Sequence, residues 1–169
     1  MRVIHACWDS TQIEVARQLL TDDRLTSGQL KEATTERTEL YNAIETLLKG
    51  FEVPLPRGIT FLDKDKHLRD AVRVRWWERD ARTLGEVVQP PTIDIGEAAS
   101  LPIPENSPRY TVNEPPCFVG HYWLKGQPAV QASNVACLDY SVAKDGKLVA
   151  YRWCGEQVLD AAHFSYLEA

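Results

Sequence analysis

Two histidines carry the clearest chemical potential in this sequence. His5 stands in Val3-Ile4-His5-Ala6-Cys7-Trp8, and His121 in Cys117-Phe118-Val119-Gly120-His121-Tyr122-Trp123. Each follows or interrupts an apolar run of the kind that forms a buried strand, so each imidazole would be presented at a strand end, with Gly120 letting the chain turn. A neutral imidazole in that setting is a good ligand for a first-row divalent metal. Spacing does not link the two, because more than a hundred positions separate them. Taken alone, each is more readily a hydrogen-bonded residue of the core or its rim. His67 and His163 read as surface residues.

Arg75, in Arg73-Val74-Arg75-Trp76-Trp77, is the candidate phosphate contact, since a guanidinium offers two parallel donors to phosphate oxygens. The competing reading is a solvent-facing arginine on an alternating strand, and strand register decides whether Arg73 or Arg75 faces inward. Trp76, Trp77, Tyr122 and Trp123 have the ring faces to stack on a nucleobase, although filling the layer between sheet and helices is the more ordinary role. Asp139 and Tyr140 fall at the end of a strand-like run and are expected near the same centre.

The elements that must position these groups are legible in part. Asp9 or Ser10 can cap a helix bearing Ile13, Ala16, Leu19 and Leu20. A stretch over 27–33 reads as helical. Residues 35–49 form the clearest helix, with Leu40, Ile44, Leu47 and Leu48 on one side and Gly50 as its stop. Together, about 10–50 reads as a helical insertion on one side of a sheet.

Beyond it, Pro54-Leu55-Pro56-Arg57-Gly58 argues against regular structure, and about 59–77 reads as a β-hairpin whose turn is Asp63-Lys64-Asp65-Lys66. Proline is frequent over 89–116, which reads as a long surface connection. Strands follow over 116–119, 134–140 and 147–153. Lys144-Asp145-Gly146 turns between the last two, an Asp-Gly hairpin signal, and a short run over 158–164 closes the chain.

The bulk properties bound the function. A length of 169 residues suits one domain with a real core. Nineteen basic against 24 acidic side chains give a net charge of −5, which supplies no general attraction to a nucleic-acid polymer or an anionic membrane. A phosphate-bearing ligand would need a local site. No apolar run reaches the ~20 residues of a membrane span, and residues 1–5 lack a signal-peptide plan, so a cytoplasmic location is expected. Cys7, Cys117, Cys137 and Cys154 form no C-x-x-C pair, and three of them lie in apolar runs, as buried thiols do.

Several blocks together resemble the carboxy-terminal portion of calcineurin-like metallophosphoesterases, the bacterial group related to serine/threonine protein phosphatases and symmetrical dinucleoside-tetraphosphate hydrolases. They are Arg2-Val3-Ile4-His5-Ala6-Cys7-Trp8, Phe61-Leu62-Asp63-Lys64-Asp65, Arg73-Val74-Arg75-Trp76-Trp77, Phe118-Val119-Gly120-His121-Tyr122-Trp123, and Asn134-Val135-Ala136-Cys137-Leu138-Asp139-Tyr140-Ser141-Val142-Ala143-Lys144. The resemblance runs nearly end to end. It implies an α/β fold, part of a sandwich of mixed sheets flanked by helices, and metal-dependent hydrolysis of a phosphorylated nucleotide, phosphoprotein or small phosphoester. It also implies that His5 and His121 bind the same one of two divalent ions, which would be manganese, iron or zinc.

The departures from the family pattern matter equally. Nothing before His5 can hold the family's early D-x-H motif, and neither G-D-x-x-D-R-G nor G-N-H-E occurs. The expectation is therefore residues 1–169 as the carboxy-terminal part of such a domain, its amino-terminal half missing, and little or no activity alone. An apolar run beginning at Val3 agrees, since a buried strand needs neighbours on both sides. A truncated gene is the favoured explanation. The alternatives are one half of a split enzyme that pairs with an amino-terminal polypeptide, and a non-catalytic partner-binding protein.

Overall fold

Local capping explains where the helices of this computed structural model begin and end; it describes residues 1–63 and 66–169. In chain order the elements are β1 (Arg2–Val3), α1 (Ser10–Leu19), α2 (Ser27–Ala33), α3 (Glu39–Lys49), β2 (Glu52–Pro54), β3 (Phe61–Leu62), β4 (Leu68–Arg69), β5 (Ala71–Arg73) and α4 (Leu84–Val87). They continue as β6 (Cys117–Val119), β7 (Val130–Ala132), β8 (Val135–Cys137), β9 (Asp139–Tyr140), β10 (Lys147–Tyr151) and β11 (Phe164–Glu168). The protein is thus mixed α/β, with several small sheets and four α-helices among the described residues. It divides into two compact units rather than one block: residues Met1–Gly50 with Glu114–Ala169, and residues Phe51–Asn113. No helix among the described residues is long and apolar enough to cross a membrane.

In the first unit, the buried Asp9 carboxylate accepts from Thr11 N at 2.9 Å and Gln12 N at 3.1 Å, occupying two donors that α1 leaves unpaired at its start. Thr26 and Gln29 form a reciprocal capping box on α2. Thr38 accepts from Tyr41 N at 3.1 Å and starts α3, so the helix expected from residue 35 begins four residues later. Gly50, at φ 98°, ends it where an L side chain would be strained. Ala16, Ala43 and Leu47 pack with Ile4, Ile13, Val15 and Leu20 between α1 and α3.

The main sheet has the order β1-β6-β8-β7, with β1, β6 and β8 parallel and β7 antiparallel. Every residue of β6 and β8 is buried, which explains their unbroken apolar runs. The run over 3–8 behaves differently from expectation. Its strand covers only Arg2–Val3 at the end of the sheet order, and Val3 is 66% exposed. The burial falls instead on Ala6 and Cys7, whose N–H groups both donate to the Leu47 carbonyl in the last turn of α3.

The run over 134–140 is also not one strand: it breaks at Leu138, giving β8 to the main sheet and β9 to a three-stranded antiparallel sheet of order β11-β10-β9. The hairpin between β9 and β10 pairs Tyr140 with Lys147, as its Asp-Gly signal implies. A Cβ on Gly146 would collide with the Tyr140 carbonyl, so only glycine fits there.

In the second unit, the strand pairing differs from the expected hairpin. β3 pairs with β4, Phe61 opposite Arg69, while β5 pairs with β2, Glu52 opposite Arg73. Pro54 can end β2 because the ladder resumes one residue later, from Leu55 N to Asp70 O at 2.7 Å. Asp63 organises the β3–β4 connection by accepting from His67 N and Arg69 Nε. Lys64 and Asp65 of the expected turn lie outside the described residues. The proline-rich stretch is more than a surface connection: Ile95 and Ala98 join Val53, Val72, Val74, Leu84 and Val88 in the core, and Tyr110 is almost wholly buried.

Candidate functional site

The parallel register of β1, β6 and β8 brings His5, His121 and Asp139 to the carboxyl ends of neighbouring strands. This is where open α/β sheets characteristically bind ligands. Ile4 N donates to Phe118 O at 3.1 Å and Gly120 N to His5 O at 2.8 Å, so the ladder continues past both strands up to the histidines. The His5 and His121 ring centroids are 5.2 Å apart, at 61°. Gly120 was expected to supply the turn, but the left-handed residue is His121 itself, at φ 68°. A side chain on Gly120 would meet only ordinary contacts, 3.6 Å to His5 O and 3.8 Å to Asp139 Cβ.

Neighbouring groups fix this geometry. The Tyr122 hydroxyl donates to Ala6 O at 3.0 Å, in a buried bond across the two histidine segments. Leu124 N donates to Asp139 O at 2.9 Å, and Asp139 Oδ1 accepts from Ser141 N at 3.0 Å. Below the site, burial pushes the Cys137 thiol up to about 11, so it stays protonated and makes only long contacts to the Gly120 and Asp139 carbonyls.

The donor set suits part of one metal shell. With a zinc–nitrogen bond of about 2.1 Å and about 1.2 Å more to the ring centre, two imidazoles on one ion have centroids at most about 6.6 Å apart. The observed 5.2 Å lies within that limit. Among the described residues, however, no group of three or more His, Cys, Asp or Glu side chains is arranged to hold a metal ion. The ring separation is compatible with two imidazoles on one ion, and no third ligand side chain is arranged with them among the described residues.

Arg75 belongs to the second unit, and its fork is engaged there. Nη1 donates to Glu78 at 3.0 Å and Nη2 to the Glu86 carbonyl at 2.6 Å. A phosphate would have to compete with both. Trp76 and Trp77 are each 3% exposed, and Trp76 packs edge-on against Tyr110, so these rings fill the core as the ordinary reading holds. Trp123 is different: it is 40% exposed, with Lys144 Nζ 4.6 Å from its ring centroid.

Two features were missed from the sequence. Glu156 gathers the Tyr151 hydroxyl at 2.9 Å, His163 Nδ1 at 3.0 Å and Cys154 N at 2.7 Å, so His163 is half-buried rather than a free surface residue. The second is a cavity of about 280 Å³ lined by Lys125, Tyr140, Ser141, Lys144, Lys147 and Glu168, among others. Lys144 and Lys147 are neighbours in the sequence, but Lys125 is distant, and only the fold brings the three to one cavity. Comparison of the chain with protein-family models, with curated proteins and with solved structures finds no match.

Proposed function

We propose that this chain is part of a metal-dependent phosphoester hydrolase built on a calcineurin-like metallophosphoesterase sandwich and working in the cytoplasm. His5 and His121 are two ligands of one divalent ion, manganese, iron or zinc. The observation that carries the reading is the 5.2 Å approach of the two rings at the ends of adjacent parallel strands. A bound divalent ion in such an enzyme polarises the phosphoryl oxygens and lowers the pKa of a metal-held water.

This chain's residues hold and orient. The bond from Gly120 N to His5 O sets the separation of the two segments, and the Tyr122 hydroxyl ties them a second time through Ala6. Asp139 fixes the adjoining loop through Leu124 and Ser141. The substrate class is a phosphorylated small molecule, nucleotide or phosphoprotein. Two imidazoles leave the shell incomplete, because a protein zinc site normally takes three or four protein ligands. The remaining ligands therefore come from other polypeptide, and the chain alone has little or no activity.

A second reading, a non-catalytic or split-enzyme subunit that recruits a partner, is favoured by β1 lying at the end of the sheet order with Val3 exposed. Metal titration of the wild type against His5→Ala and His121→Gly separates the hydrolase reading, as part of a whole or split enzyme, from a non-catalytic partner-binding role. A metal-binding histidine pair loses its ion in both variants, whereas a partner-binding edge is indifferent to them.

A further inference from the structure

The cavity beside the β9–β10 hairpin has a composition unlike the rest of this acidic chain. Three of its lining residues are lysines, Lys125, Lys144 and Lys147, against two carboxylates, Asp145 and Glu168. Lys147 is neutralised within the protein, 2.8 Å from Glu168 Oε1, with its Nζ also 4.3 Å from the Tyr166 ring centroid. That leaves Lys125 and Lys144 against the carboxylate of Asp145 among the charged residues of the lining.

Those two cations are held in ways that leave their charge available. Lys144 Nζ rests over the Trp123 ring, an attraction that positions an ammonium without cancelling its charge. Lys125 has no carboxylate within ion-pair distance among the described residues.

Hydrogen bonds tie one lining segment of the cavity to the loop beside the histidine site. Lys125 follows Leu124, whose N–H bonds Asp139 O and whose carbonyl accepts from the Ser141 hydroxyl at 3.3 Å. At about 280 Å³ it lies just below the ~300 Å³ at which pockets for drug-sized ligands begin. That is room for a phosphate or diphosphate group rather than a whole dinucleotide.

We propose that this cavity binds the phosphate portion of an anionic ligand, with the Lys125 and Lys144 ammonium groups as its charge partners. Ammonium-to-phosphate hydrogen bonds are charge-assisted, about twice the strength of neutral ones. As an account of how a phosphorylated substrate is held near His121, the inference rests on the hydrolase reading. The anion binding itself requires no metal.

The test is a calorimetric titration with inorganic pyrophosphate, and separately with ADP, in EDTA at low salt. Wild type is compared with Lys125→Ala/Lys144→Ala and with His5→Ala/His121→Gly, each shown by circular dichroism to be folded. Saturable pyrophosphate binding is expected, weakened at least about tenfold by the lysine pair and unchanged by the histidine pair. ADP binding more tightly than pyrophosphate, with the excess lost in Trp123→Ala, identifies a nucleotide; equal affinity identifies the phosphate group alone.

No saturable binding by wild type, an effect of the lysine pair below about twofold, or loss of binding in the histidine pair would each overturn the proposal. Failure of the metal reading is seen separately, as metal binding that persists without the histidines while lysine-dependent pyrophosphate binding stays intact.

Discussion

The Tyr122 hydroxyl donates to the Ala6 carbonyl at 3.0 Å, joining the residue after His121 to the residue after His5. Both ends of the bond are buried. Tyr122→Phe removes the donor of this bond, and the net loss of one such hydrogen bond costs about 0.5–1.5 kcal/mol. Chemical denaturation should register that loss. The same variant should bind zinc more weakly than wild type, because the separation of the two imidazoles is no longer pinned at this point. An unchanged midpoint would show that the bond does not hold the segments together.

Gly120 and His121 give a paired prediction that inverts the sequence expectation. Gly120→Ala adds only ordinary contacts and should change stability by less than about 1 kcal/mol. His121 sits at φ 68°, where non-glycine residues carry about 1–2 kcal/mol of strain. His121→Gly should therefore be at least as stable as wild type while losing metal affinity. Thermal melts of the two variants check this, and a large destabilisation by Gly120→Ala would refute the assignment of the turn.

What the sequence revealed follows the range of the physics involved. Capping and periodicity act over a few residues, and Asp9, Gly50 and the Asp145-Gly146 turn mark their elements within a residue or two. Pairing between distant strands is not written locally. Residues 71–73 found 52–54 rather than 61–62, and Leu138 divides one apolar run between two sheets, because each choice depends on what the rest of the chain covers. The histidines show the same limit. No spacing rule links positions 5 and 121; family resemblance singled them out, and the parallel register sets their distance. Arg75 looked available because the sequence hides its bonds to Glu78 and the Glu86 carbonyl.

Glu156 makes stability depend on acid pH. Partial burial pushes its carboxyl up, but hydrogen bonds from its own and the Cys154 N–H, the Tyr151 hydroxyl and His163 outweigh this and lower it from 4.5 to about 2. A carboxyl depressed in the folded state contributes stability above its unfolded value, and this is lost as pH falls through the folded one. Wild type should therefore lose stability between pH 4.5 and about 2 in a way that Glu156→Gln does not. Melting curves across that range test it, and parallel curves for the two proteins would contradict it.

Thiol reactivity should be confined to one position. Cys7, Cys117 and Cys137 are buried and Cys154 is exposed. Burial holds the Cys137 thiol at about 11, far from its reactive thiolate form at neutral pH. Labelling of the native protein with a thiol-specific disulfide reagent should modify Cys154 rapidly, and Cys154→Ser should abolish that phase. Rapid modification of a second cysteine would mean that the main sheet opens readily.

Metal titration of the whole chain bears most directly on the histidine pair. With manganese and with zinc at neutral pH, calorimetry should find one weak site, lost in both His5→Ala and His121→Gly and weakening as pH is lowered because ligand imidazoles must be deprotonated. Tight binding of two ions per chain, or a site that survives both substitutions, would contradict a two-imidazole partial shell.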